Sequence, residues 1–188
     1  MSTGYQISDQ NALYFLTFQI VDWIDVFTRR IYKDIIIDSF NYSIEHKGLQ
    51  LFAYVIMSNH IHLIANSING TLSDNVRDFK KFTSKKIIET INDIPESRKE
   101  WILNRFKFNA SHLCTNKYYQ VWTHENHAIL LYSNNFIREK VEYIHNNPVR
   151  AGIVKNPEDY LYSSARNYAS LEALIDISVL VLPWHTYN

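Results

Sequence analysis

Two strongly apolar segments that lie almost next to each other constrain the fold of this chain most. The first, "LQLFAYVIM" at 49–57, and the second, "HIHLIANS" at 60–67, are rich in aromatic and β-branched residues. The polar sequence "SNH" between them can turn the chain. The pair therefore predicts a β-hairpin whose strands are largely buried in a sheet.

Patterns on either side of the hairpin predict its neighbours. Residues 13–21, "LYFLTFQIV", predict a further strand. Apolar residues at helical spacing over about 28–47, followed by Gly48, predict a helix before the hairpin. A second helix is expected after it, at about 72–91. The inner stripe of this second helix is predicted to be Leu72, Val76, Phe79, Thr83, Ile87 and Ile91.

The C-terminal half predicts further helices and extended chain. A helical segment is expected at about 95–108, and the aromatic sequences at 118–124 and 127–133 indicate strand or extended structure. A helix capped by Ser133 and Asn134 should then run to about Asn147. We expect Pro148 to end that helix, because the residue before proline disfavours helical geometry.

The order of these elements predicts the fold class. The sequence β-α-β-β-α, followed by another strand and helix, suits an α+β ferredoxin-like sandwich with helices packed on a central antiparallel sheet. A chain of 188 residues is the size of one domain. We therefore expect a single domain over 1–188, with a core at about 10–170 and a C-terminal tail at 171–188.

Charge and cysteine content exclude some classes and leave others open. The formal net charge is zero, but residues 71–155 carry 14 Lys/Arg against 9 Asp/Glu, which could form one basic face. An ordinary solvated helix surface explains the same residues. The single cysteine excludes an internal disulfide, and the sequence shows neither a signal-peptide core nor a membrane-length apolar run. We expect a cytoplasmic protein without a membrane partner.

Two histidines one residue apart are the first candidate site. Because side chains alternate along a strand, His60 and His62 should share one face, close enough for two imidazoles to bind one metal ion. The alternative is a pair of hydrogen-bonded histidines at the sheet surface. A zinc site that adds Cys114, or the pair His124 and His127, is conceivable, but the chain has no C-x-x-C motif.

The predicted C-terminal helix carries the second candidate site. Tyr143 and Asn147 are four residues apart and should share a helix face. A phenol and a carboxamide one turn apart could serve as nucleophile and metal ligand. The alternative is a tyrosine at the edge of the core followed by a turn-forming Asn-Pro.

Together these two motifs resemble those of the HUH single-tyrosine transposases. The sequences "MSNHIHLI" and "YIHNNPVRAGIV" are most similar to the REP-associated tyrosine transposases, within the IS200-like superfamily. The segments "RDFKKFTSKKI", "VWTHENHAI" and "PEDYLYSSARNY" also resemble family segments in the same order. The resemblance covers most of residues 10–170.

The resemblance implies a reaction and the residues that perform it. His60 and His62 would bind a divalent cation, Mg²⁺ or Mn²⁺, and Tyr143 would be the nucleophile. Insertion-sequence relatives often have Gln four residues after the tyrosine, where this chain has Asn147, whose carbonyl oxygen sits on a shorter arm. The implied activity is cleavage and rejoining of single-stranded or hairpin-flanked DNA through a 5′-phosphotyrosine. A homodimer is compatible with the resemblance.

Basic side chains are the candidate DNA contacts, and three other functions remain open. The alternatives are a hairpin-binding module that has lost strand transfer, a metal-dependent nuclease that uses water, and an interaction domain with incidental histidines. Trp122 could stack on bases or pack in the core. The predicted phosphate contacts are Arg77, Lys80, Lys81, Lys85, Lys86 and Arg150.

Overall fold

A computed structural model describes residues 6–112 and 118–181, and these residues form the predicted sheet with helices on both faces. The sheet has the order β2-β3-β1-β4, and every neighbouring pair is antiparallel. In the described ranges no helix is both long and apolar enough to cross a membrane. The strands are β1 (Tyr14–Gln19), β2 (Leu49–Ile56), β3 (His60–Ser67) and β4 (Ile129–Leu130). The helices are α1 (Arg30–Lys47), α2 (Leu72–Asp93), α3 (Lys99–Ser111), α4 (Asn134–Arg150) and α5 (Ala165–Tyr168).

The chain order β1-α1-β2-β3-α2-α3-β4 confirms the predicted ferredoxin-like α+β class. α1 and α2 pack on one face of the sheet, where Phe40 stacks on Phe79 and Phe18 packs against Phe79. The whole predicted inner stripe of α2 is buried. α4 crosses the opposite face, which carries the histidine pair. Because side chains alternate along the strands, one face of the sheet packs against α1 and α2 and the opposite face carries the histidine pair.

An irregular segment, rather than a long fourth strand, extends the sheet beyond β4. The backbone N–H of Thr17 donates to the Asn126 carbonyl at 2.8 Å, and that of Val21 donates to the Val121 carbonyl at 2.9 Å. His127, with φ of 41°, interrupts regular pairing between this segment and β4. The expected extended structure is therefore present, but only Ile129–Leu130 pairs as a strand.

The outer edge of β2 is covered by the chain that follows α4. The N–H of Ile56 donates to the Tyr162 carbonyl at 3.0 Å, and the N–H of Ser164 donates to the Tyr54 carbonyl at 2.9 Å. The N–H of Ser178 donates further along, to the Leu51 carbonyl at 3.0 Å. The segment "PEDYLYSSARNY" therefore completes the sheet edge on this side.

The prediction that Pro148 ends the tyrosine helix is wrong, because α4 continues to Arg150. Proline removes one helical N–H, but in the last turn few hydrogen bonds depend on it. The Pro148 carbonyl still accepts from the N–H of Ile153 at 2.9 Å. The chain leaves the helix at Gly152, whose φ of 69° is the left-handed geometry common after helices. Arg150 is therefore part of the helix rather than beyond it.

Candidate active site

His60 and His62 lie side by side on one face of β3, as the alternation predicted. Their ring centroids are 4.7 Å apart, and the rings meet edge to face. In the sheet, His62 pairs with Thr17 of β1, and only 6% of its surface is exposed. Two imidazoles at this separation can direct nitrogens toward one cation.

Each imidazole is oriented by a hydrogen bond at Nδ1. The Nδ1 of His62 lies 2.8 Å from Thr17 Oγ1, and the Nδ1 of His60 lies 2.7 Å from Asn59 Oδ1. Because Nδ1 is engaged in both rings, Nε2 is the nitrogen available to a metal ion. Burial lowers the pKa of both histidines, that of His62 to about 3. The rings are therefore held neutral, which is the form that binds metals.

α4 brings Tyr143 to the histidine pair within the same chain. The rings of Tyr143 and His62 meet edge to face, with centroids 5.2 Å apart. The Phe15 ring stacks on the His62 ring, with centroids 5.3 Å apart, and meets the Tyr143 ring edge to face, with centroids 6.0 Å apart. Tyr143 is partly buried. The phenol predicted to be the nucleophile thus shares an aromatic cluster with a predicted metal ligand.

Two cations flank Tyr143 on the same helix face. Lys140 Nζ lies 5.8 Å from the centre of the Tyr143 ring, and the Arg150 guanidinium carbon lies 4.9 Å from it. The stripe that α4 turns toward the sheet consists of Lys140, Tyr143, Asn147 and Arg150, which are spaced three, four and three residues apart. Lys140 and Arg150 also contribute to the lowered pKa of His62. The stripe therefore presents a phenol between two positive charges.

A buried polar network fixes α4 against the sheet. His145, on the turn after Tyr143, is 9% exposed, and its Nε2 lies 2.9 Å from Ser164 Oγ. The N–H of Tyr54 in β2 donates to the same hydroxyl at 2.9 Å. Burial lowers the pKa of His145 to about 4, so the ring stays neutral. Rotation of α4 about its axis would break these hydrogen bonds. The network therefore sets the direction in which α4 presents Tyr143.

The residues of the site fit a divalent cation. The Nδ2 atom of Asn147 is buried and has no hydrogen-bond partner among the described residues. A carboxamide can present its oxygen instead by turning about its last side-chain bond, and a cation would satisfy that oxygen. His60, His62 and Asn147 are therefore the residues that could hold Mg²⁺ or Mn²⁺.

The zinc alternative gains no support from the described residues. They contain no group of three or more His, Cys, Asp or Glu side chains placed to hold a metal. His124 and His127 therefore lack a complete ligand set there, and Cys114 lies outside the described residues. Zinc sites in proteins are built mainly from these side chains.

The predicted basic contacts on α2 lie apart from the histidine pair. Lys80 is largely buried, and its Nζ donates to the Thr123 carbonyl at 2.9 Å. Burial lowers the pKa of Lys80 to about 8. Lys81 and Arg77 line a groove of about 890 Å³ between α2 and residues 119–126. Arg77 forms ion pairs with Asp74 and Asp78. Glu89 forms ion pairs with Lys85 and Lys86.

Arg150 and Trp122 have distinct positions among the candidate DNA contacts. Arg150 is the predicted phosphate contact that lies beside Tyr143. Trp122 is 5% exposed and donates its indole N–H to Thr83 Oγ1 at 3.0 Å. Its ring packs against Phe18, Phe27 and Phe79. Trp122 therefore packs in the core.

Sequence reasoning missed three side chains of the site. Lys140 lies three residues before Tyr143, so helical spacing alone could have singled it out. Asn59 is the turn residue directly before His60. Thr17 could not be found without the register of β1 against β3, which places it opposite His62.

Comparisons with known proteins agree with this fold. Residues 14–147 match the family model described as Transposase IS200 like. A solved structure of a REP-associated tyrosine transposase bound to a REP hairpin is similar over 100% of both chains, with a TM-score of 0.59 and 18% sequence identity. Comparison with curated proteins found no significant match. Since the family match spans most of the chain, this chain belongs to the IS200-like transposase family.

Proposed function

We propose that this transposase cuts and rejoins single-stranded or hairpin-flanked DNA through a 5′-phosphotyrosine on Tyr143. The observation that carries the proposal is the contact between Tyr143 and His62, whose ring centroids are 5.2 Å apart. A nucleophile and a metal-ligand pair must face one phosphate, and these side chains share one face of the sheet. The similar transposase bound to a REP hairpin suggests a hairpin beside the cut strand.

The proposed cleavage is a transesterification. Tyr143 Oη loses its proton and attacks the phosphorus, forming an Oη–P bond while the bond from phosphorus to the 3′ oxygen breaks. The 3′ oxygen takes up a proton and leaves as a free 3′-OH. Attack of a 3′-OH on the phosphotyrosine reverses these steps and joins strands without ATP. A divalent cation held by His60, His62 and Asn147 would polarise a nonbridging phosphate oxygen.

Lys140 and Arg150 have electrostatic roles in this proposal. Tyrosine is a weak nucleophile at its ordinary pKa of about 10, so it needs stabilisation of the phenolate. The two cations lie 5.8 and 4.9 Å from the centre of the Tyr143 ring and would stabilise the negative charge that develops in the transition state. They would also attract the phosphate. Phosphates further from the cut would be contacted by Arg77, Lys81, Lys85 and Lys86. The Lys80 amine instead donates a hydrogen bond to the 119–126 segment.

A single assay tests the proposal. The protein is incubated with Mg²⁺ or Mn²⁺ and a labelled single-stranded oligonucleotide that contains a hairpin, and covalent adducts are separated on a denaturing gel. We expect an adduct that Tyr143→Phe abolishes and that chelation by EDTA prevents. Tyr132→Phe is the matched control, because Tyr132 is 80% exposed and lies just before α4.

The same gel separates the competing functions. Cleavage that persists in Tyr143→Phe would contradict the tyrosine mechanism and indicate a nuclease that uses water. Hairpin binding without any cleavage by the wild-type protein would indicate a DNA-binding module. We also propose a cytoplasmic location.

A further inference from the structure

An exposed tryptophan stands beside the histidine pair. Trp23 lies in the short turn after β1, and 60% of its surface is exposed. The Trp23 and His60 rings meet edge to face, with centroids 6.1 Å apart. Large aromatic side chains are usually buried for packing, as Trp122 is here. Trp23 therefore lies outside the core, and what distinguishes it from the other exposed aromatic side chains among the described residues is its contact with a predicted metal ligand.

The backbone that carries Trp23 is held in an unfavourable conformation. Asp22 and Trp23 have φ angles of 54° and 55°, the left-handed region that residues other than glycine seldom adopt. Two such residues in succession persist only where surrounding contacts enforce them. Strain of this kind is concentrated at functional sites in proteins.

Contacts from α3 and from the hairpin turn enforce this conformation. The Asp22 carboxylate accepts hydrogen bonds from Arg105 Nε at 2.9 Å and from Asn109 Nδ2 at 2.7 Å. Asn59 Nδ2 donates to the Trp23 carbonyl at 3.2 Å. The Oδ1 of the same Asn59 side chain orients the His60 ring. One carboxamide thus holds both the backbone of Trp23 and the ring of a predicted metal ligand.

We propose that Trp23 is a stacking platform for one unpaired nucleobase next to the phosphate that Tyr143 attacks. This inference rests on the proposed function. An indole face binds any base by stacking, which suits a strand that must be unpaired where it is cut. An exposed ring that lies beside His60 on a hydrogen-bonded backbone would hold the neighbouring nucleotide, while Lys140 and Arg150 act beside Tyr143. The ligand class is therefore single-stranded DNA, recognised at this point by a base.

The test combines two Trp23 variants with an abasic scan. Trp23→Asn removes the ring but keeps a residue that tolerates the left-handed backbone, and Trp23→Phe keeps an aromatic ring. Tyr42→Ala is the control, because Tyr42 is 55% exposed on α1, against the opposite face of the sheet. Binding of a fluorescent single-stranded oligonucleotide with a hairpin is measured in the Tyr143→Phe background, which prevents cleavage. Each unpaired nucleotide is replaced in turn by an abasic one.

We expect Trp23→Asn to weaken binding about tenfold, with Trp23→Phe and Tyr42→Ala close to the parent. One abasic position should weaken binding to the parent by a similar factor and have no effect on Trp23→Asn. An abasic penalty that is unchanged in Trp23→Asn would overturn the stacking proposal. Absence of an adduct with the wild-type protein contradicts the proposed function instead. If single-stranded DNA does not bind at all, both proposals fail.

Discussion

Tyr143 and His62 pack ring against ring within a single chain, with 5.2 Å between their centroids. In this arrangement the tyrosine and the histidines of one site come from the same molecule. A tyrosine supplied by a partner chain would have to displace this contact, because α4 is held to the sheet by the buried His145–Ser164 hydrogen bond.

Mixing two inactive variants tests this arrangement. Tyr143→Phe and His62→Ala should each fail to form the DNA adduct, and their mixture should fail as well, because neither chain carries both side chains. The measurement is adduct formation after the two proteins have been co-refolded. Activity restored in the mixture would mean that the sites are shared across a homodimer.

Loss of the cations beside Tyr143 should slow the chemistry. We expect Lys140→Met and Arg150→Met each to lower the rate constant of adduct formation about tenfold or more, because each removes a positive charge that would stabilise the negative charge of the transition state. Single-turnover kinetics at saturating oligonucleotide separate this effect from binding. Lys155→Met, a change at an exposed residue after α4, is the control. Equal rates in all three variants would contradict the proposed role.

Thr17→Val should weaken metal binding, although valine and threonine side chains have nearly the same shape. The variant removes the oxygen that lies 2.8 Å from His62 Nδ1 and so frees the ring to change tautomer and orientation. Loss of such a partner typically costs about 10- to 100-fold in metal affinity. A calorimetric titration with Mn²⁺ measures the dissociation constant. Thr28→Val, at an exposed threonine, should bind Mn²⁺ like the wild-type protein.

Ser164→Ala should destabilise the protein through the network that positions α4. The fully buried hydroxyl contacts His145 Nε2 and accepts from the Tyr54 N–H, so its loss leaves buried polar groups unpaired. We expect the free energy of unfolding to fall by about 1–3 kcal/mol. Urea denaturation provides the measurement. Ser111→Ala, at an exposed serine, should change it by less than about 0.5 kcal/mol.

The buried Lys80 amine should make stability depend on pH. Its pKa is about 8 in the folded chain and 10.5 in the unfolded chain, so between these values the unfolded chain binds more protons. Stability therefore rises with pH across this window. We expect the wild-type protein to gain about 1–3 kcal/mol relative to Lys80→Met between pH 8 and 10. A difference in unfolding free energy that is independent of pH would show that Lys80 is not desolvated.

Local patterns predicted much of the fold and part of the candidate site. Strand alternation placed His60 and His62 on one face, and helical spacing identified the buried stripe of α2 and placed Tyr143 and Asn147 on one helix. These features depend only on side-chain periodicity, which sequence displays directly.

Features that depend on contacts between distant segments could not be predicted in this way. Thr17 reaches His62 through the register of β1 against β3, and the turn that carries Trp23 is held by hydrogen bonds from α3 to Asp22. The rule for proline failed at Pro148 because the last helical turn has few hydrogen bonds for proline to disrupt.

The covered outer edge of β2 limits how two copies of this chain can associate. The carbonyls of Leu51 and Phe52 accept hydrogen bonds from Ser178 and Tyr168, in addition to those that Tyr54 and Ile56 make with residues 160–164. The β2 edge therefore offers a second copy no free row of backbone donors and acceptors. Strand addition at this edge would first require the chain's own C-terminal segment to be displaced. A homodimer formed while that segment stays in place would therefore have to use a surface other than the β2 edge, such as the opposite sheet edge at β4 or side-chain contacts.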